Sequence, residues 1–124
     1  MRIAGLGLFA IAVIALAVVL WPRPLFQPST PQEKAIESMM MSDLNGLGKA
    51  ERFYFRSKGS FTDNADSTIF LRTPGVGVPS ITLKGEGWYA TVTHAGLPGV
   101  TCAIAVAAKN PLHRAAEEGV PVCK

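Results

Sequence analysis

Four side chains in the second half of this 124-residue chain could bind a metal or attack a substrate: His94, Cys102, His113 and Cys123. Two imidazoles and two thiolates are donor types that zinc favours. Their spacing, however, is His-x7-Cys-x10-His-x9-Cys, with no Cys-x-x-Cys or His-x3-His pair to set two ligands at once, and no metal is expected. A Cys and His nucleophilic pair is formally present as well, but it requires a free thiol. A bond between Cys102 and Cys123 is a simpler use of the two cysteines. It would fix a C-terminal tail that has few regular signals of its own, and loop closure of that kind contributes about 3 kcal/mol. Two free buried thiols in a reducing compartment are the alternative. His94 then reads as a strand-end residue with a satisfied ring, and His113 as a surface one. No nucleophile elbow, phosphate loop or dinucleotide fingerprint occurs; Gly75-Val76-Gly77 lacks the third glycine and the following helix. Neither enzymatic activity nor a cofactor is expected.

The remaining chemistry is charge and aromatic surface. Lys49, Arg52 and Arg56 lie at helical spacing and could present a basic face to DNA or another anion, although such a row is more often a solvated face. From residue 31 onward, ten Lys and Arg stand against nine Asp and Glu, so composition does not favour a nucleic-acid binder. Met39 and Met41 flank the core position Met40 and could serve an adaptable contact surface. Trp88 and Tyr89 cannot both face a core if their strand is regular, so both are interface candidates and one is expected at the surface.

These residues need elements to hold them. Residues 30–59 read as one long amphipathic helix. Thr30 is the N-cap, Pro31 suits the first helical position, and Glu33 completes a Ser/Thr-x-x-Glu box. Arg56 and Lys58 in the last turn meet the negative end of the helix dipole, and Gly59 tolerates the left-handed conformation past it. Ile36, Met40, Leu44, Leu47, Ala50 and Tyr54 recur every three or four residues and draw one apolar stripe. Gly46 and Gly48 each weaken the middle by about 1 kcal/mol, so a kink or break is allowed there. Beyond Gly59 the period becomes strand-like, with strands expected at 80–84, 88–94 and 100–107 and turns at 85–87 and 95–99. The expected fold is α+β: the long helix on a small antiparallel meander.

At the other end, residues 3–20 carry no polar side chain and would extend about 27 Å as a helix, near the thickness of a bilayer's hydrocarbon core. Trp21 follows as an interfacial aromatic. No small-x-small site follows the apolar run, so a retained signal anchor over 1–21 is expected. The prolines of 22–30 make an extended tether, and 31–124 form the domain. With the cysteines in an oxidising compartment, the N-terminus is expected in the cytoplasm and the domain outside it.

The order of these pieces resembles bacterial type IV pilins and pseudopilins. It rests on Ala50-Glu51-Arg52-Phe53-Tyr54-Phe55 followed by Gly59-Ser60-Phe61-Thr62, on the Gly87-Trp88-Tyr89-Ala90 strand, on Ala90-Thr91-Val92-Thr93-His94 before Cys102, and on the closing Gly119-Val120-Pro121-Val122-Cys123. The resemblance covers residues 40–124. It implies a spine helix packed on an antiparallel sheet, a disulfide-bounded C-terminal loop, and a place in filaments or secretion pseudopili. The family's basic leader, Gly-Phe processing site and N-terminal glutamate have no counterpart here, since no acidic residue precedes Glu33. The expected role is therefore a non-catalytic subunit of a larger assembly in the bacterial inner membrane, partnered by other integral membrane proteins or by pilins. A minor pilin or pseudopilin is the alternative, and a DNA- or ligand-binding module a third.

Overall fold

The computed structural model describes residues 24–124. The apolar run 3–20 expected as an anchor lies outside the described residues; among those described, no helix is long and apolar enough to cross a membrane.

Helix α1 spans Pro31–Lys58. Thr30 is its N-cap in an extended conformation, and the Thr30 hydroxyl accepts the Glu33 N–H at 3.1 Å. The return half of the box is displaced by one residue. Glu33 Oε2 accepts from the N–H and hydroxyl of Ser29, at 2.8 and 2.9 Å, and these bonds hold its carboxyl below the ordinary value of 4.5. Gly59 takes the left-handed conformation, φ 79°, and donates its N–H to the Phe55 carbonyl at 2.7 Å. No break occurs at Gly46 or Gly48. A Cβ added at Gly46 would meet only the Phe70 ring at 3.9 Å, which is ordinary contact. Gly46→Ala is accordingly expected to stabilise the protein by about 1 kcal/mol, seen as a Tm higher by several degrees; an unchanged or lower Tm would show that backbone entropy is not limiting there.

Four antiparallel strands follow in the order β1-β2-β3-β4: β1 is Ser80–Lys84, β2 Gly87–Thr93, β3 Thr101–Val106 and β4 Val122–Cys123. Gly85 and Glu86 turn β1 into β2, Gly85 at φ 58°. Gly87 lies so close to the carbonyls of Val106 and Ala107 that no Cβ fits, which lets β2 and β3 pair fully at that end. Register sets Ala90 opposite Ile104 and Val92 opposite Cys102. These four and Trp88 meet Ile36, Met40, Leu44 and Leu47 of α1 in one core. The helical stripe and the strand alternation thus close on each other.

The two ends of the described residues are held by bonds that periodicity does not reveal. Strand β4 has two residues, with Thr101 and Lys124 exchanging backbone bonds at its end, at 2.9 and 2.8 Å. In the return segment, Gly119 donates its N–H to the Ala105 carbonyl at 2.8 Å and the Asn110 amide donates to the Ala103 carbonyl at 3.0 Å. Residues 24–29 form no regular element, and Phe26 donates its N–H to the Cys123 carbonyl at 2.8 Å while packing against the core. The approach to α1 is therefore docked beside β4 at that point.

Candidate functional site

Cys102 and Cys123 are bonded to each other, opposite one another across β3 and β4. Both thiols are thereby withdrawn from metal binding and from nucleophilic attack. His94 stands just beyond β2, where its Nδ1 accepts the Gly96 N–H at 2.8 Å, and its ring lies against Gly75; His113 is exposed. Among the described residues, no group of three or more His, Cys, Asp and Glu could hold a metal ion.

The four interface candidates are distributed unequally. Met39 is exposed, while Met41 is half-buried and packs against the core cluster. Trp88 corrects the expectation: its ring has no exposed surface and lies under α1, so it cannot meet a partner directly. Tyr89, on the opposite face of β2, is the half-buried one. Strand alternation allows this division, and the larger apolar ring takes the core side.

The basic row divides too. Asn45, Gly48, Lys49 and Arg52 form one wall of a groove of about 350 Å³ between α1 and the sheet, with Trp88, Ile104 and Val106 beneath and Gly119 opposite. Arg56 is exposed but does not line this groove. The Trp88 indole N–H is buried and has no hydrogen-bond partner among the described residues. A second groove, of about 530 Å³, opens at the C-terminal end of α1, where Phe55 and Leu83 stand over Phe61, Gly85 and Gly87. The Phe55 and Phe61 rings lie 4.7 Å apart. No known family profile, curated protein or solved structure matches this chain.

Two carboxylates on the buried face of α1 escape a search for chemistry based on His and Cys. Asp43 is buried and ties a distant loop to the helix: its Oδ2 accepts the Thr73 N–H at 2.9 Å, and its Oδ1 accepts the Thr73 hydroxyl. Glu51 has no exposed surface, and both of its oxygens accept the Thr62 N–H, at 3.2 and 3.3 Å. Burial pushes its carboxyl up to about 7, the Thr62 bond opposes that rise, and nearby Asp63 adds to it. The available signal was position: Asp43 follows Met40 by three residues and Glu51 follows Leu47 by four, which sets both acids on the apolar stripe. Asp43→Ala should cost about 2 kcal/mol, because the Thr73 N–H and hydroxyl lose their acceptors. Chemical unfolding measures this, and a loss near zero would mean that water replaces the carboxylate.

Proposed function

We propose that this chain is a non-catalytic, single-span membrane protein, held in the bacterial inner membrane by residues 3–20, whose pilin-like periplasmic domain is an accessory subunit of a larger membrane complex. One observation carries the reading: two exposed apolar side chains, Phe55 and Leu83, line one groove at the end of α1 remote from the chain segment that leads to the apolar run. Phe55 is 43% and Leu83 46% exposed, beside the Phe61 ring and the Gly85-Glu86 turn. A helix of 28 residues extends about 42 Å, so an anchor near the start of α1 would hold this apolar end well out from the bilayer, in reach of the outer parts of neighbouring proteins. A contiguous exposed apolar patch, unlike a single exposed apolar residue, marks a contact site.

Purification of the tagged full chain from membranes in mild detergent, with mass spectrometry of what accompanies it, tests the proposal. A stoichiometric set of integral membrane proteins supports an accessory subunit. Recovery alone counts against it. The double substitution Phe55→Asp with Leu83→Asp should release those partners while the far-UV circular dichroism stays unchanged, and retention of all of them would remove this surface as the contact. The second reading, a minor pilin or pseudopilin, is favoured by the order of the parts: a spine helix, a meander and a disulfide that closes the C-terminal segment. Co-recovery with pilins or a prepilin peptidase is the outcome that would favour it.

A further inference from the structure

We propose that the free edge of β1 takes up an extended strand of a partner polypeptide, paired antiparallel through the backbone of Ile81 and Leu83, with an apolar side chain of that strand in the groove of Phe55 and Phe61. This rests on the reading of that end of α1 as a contact surface and names the form of what binds there.

The two edges of the sheet are treated differently. Along β3, the residues whose backbone turns away from β2 are engaged: the Thr101 carbonyl accepts from Lys124, the Ala103 carbonyl from the Asn110 amide, and the Ala105 carbonyl from Gly119. Beyond them the Cys123 carbonyl accepts from Phe26. A strand, a side chain and two loops thus close that edge. At the other edge, the Thr93 carbonyl accepts the Gly77 N–H at 2.8 Å, so the Thr93 backbone faces the β1 side. Backbone direction alternates along a strand, so Thr91, Tyr89 and Gly87 face that side too, and their register partners Ser80, Thr82 and Lys84 bond to them. Ile81 and Leu83 therefore turn their N–H and C=O groups outward, and no loop or side chain among the described residues bonds to them.

These four groups determine the kind of partner. They repeat about every 7 Å along the edge, a spacing that another extended backbone reproduces and that a helix, with its N–H and C=O groups bonded internally, cannot. Pro79, the preceding outward position, has no N–H, and pairing ends there. The side chains specify the rest. Leu83 pairs with Trp88 and Ile81 with Ala90, which sets both on the face that meets α1, while Ser80, Thr82 and Lys84 lie on the other. Helix α1 packs across β2, β3 and β4. Beside β1 on that face lies instead the groove of about 530 Å³ between Phe55, Phe61 and Leu83, where Leu83 is 46% exposed. A strand of alternating apolar and polar residues fits this edge: bonds to Ile81 and Leu83 give affinity, and one apolar side chain beside Leu83 fills the groove. A second copy of this chain does not fit the membrane reading. Antiparallel pairing of two β1 edges reverses one α1 against the other, and two chains anchored by residues 3–20 in one membrane cannot be so arranged.

The test uses the nitrogen-15 labelled full chain in detergent and the peptide acetyl-Glu-Val-Thr-Phe-Thr-Val-Glu-amide, so it needs no membrane partner and can fail separately from the membrane-complex reading. In the free chain the amides of Ile81 and Leu83 should exchange with solvent while those of Thr82 and Lys84 are protected. The peptide should shift the Ile81 and Leu83 resonances saturably and slow their exchange. The same peptide N-methylated at Phe and both Val keeps its side chains but loses its donors, and should bind about tenfold more weakly or worse. Leu83→Pro removes an outward N–H without touching the ladder to β2 and should abolish the shift at Ile81, whereas Leu83→Ala, which keeps the N–H, should retain part of the binding. No saturable shift, or an equal one with the N-methylated peptide, would overturn the proposal. So would protection of Ile81 and Leu83 that rises with protein concentration in the absence of peptide, because it would assign the edge to a second copy.

Discussion

Replacing Cys102 and Cys123 together by alanine is expected to lower stability by about 3 kcal/mol. The bond closes a loop with a sequence separation of 21, and for loops of that length the entropy restored to the unfolded chain amounts to about that much. Local consequences should exceed the global one. Strand β4 has only two residues, one of them Cys123, and its register with β3 is Cys102 with Cys123 and Ala103 with Val122, extended only by the Thr101 and Lys124 exchange. A strand so short does not hold itself. Phe26 in turn depends on the Cys123 carbonyl, so releasing β4 also undocks the chain that enters α1. In a domain of this size 3 kcal/mol corresponds to a Tm lower by about 15 °C. Hydrogen exchange should accelerate first at Phe26, Thr101, Gly119 and Lys124, ahead of the central pair β2 and β3. Uniform acceleration across the sheet would mean instead that the disulfide acts on the unfolded state alone. Equal stability of the alanine variant and the oxidised protein would remove the bond from the account of how this small domain stays folded.

The same tail shows where reading from sequence reaches its limit. Helix α1 was legible because its signals are local: Thr30, Pro31 and Glu33 at one end, Gly59 at the other, and an apolar stripe between. Strands β1 to β3 were legible from alternation and glycine turns, to within a residue or so at each end. A two-residue strand has no period to detect, and β4 exists because tertiary bonds place it. The docking of Phe26 is likewise a single long-range backbone bond in a proline-rich run, where local rules predict only extension. Of the candidate site, Lys49 and Arg52 were visible as charge but not as a groove wall, since a groove also needs Gly119 and β3 on the other side. Trp88 and Tyr89 both stayed candidates because alternation says that they face opposite ways and not which of them faces in.

Glu51 supplies the second large expectation, and its sign is opposite to that of the usual paired carboxylate. Its folded value of about 7 lies above the ordinary 4.5, so between those pH values the folded protein holds a proton that the unfolded chain has lost. Where the folded state binds more protons, stability falls as pH rises. Protonated Glu51 therefore contributes fully below about pH 4.5, and its contribution is lost progressively as pH climbs to about 7, after which the loss is constant. The cost of keeping the ionised group buried above neutrality is on the order of 3 kcal/mol. Glu51→Gln keeps the shape and an oxygen for the Thr62 N–H while removing the charge, so it should be more stable than the parent at pH 8 by about 2 kcal/mol and nearly equal to it at pH 5. The comparison cancels every other titrating group, since these are common to both proteins. The structural effect should be confined to the loop that Thr62 anchors, which carries Phe61 onto Phe55 at 4.7 Å and onto Trp88 at 6.3 Å. Urea unfolding of both proteins at a series of pH values gives the answer: curves that separate between pH 5 and 7 establish Glu51 as a carboxyl buried at a cost, whereas parallel curves would show that its charge is solvated in the fold.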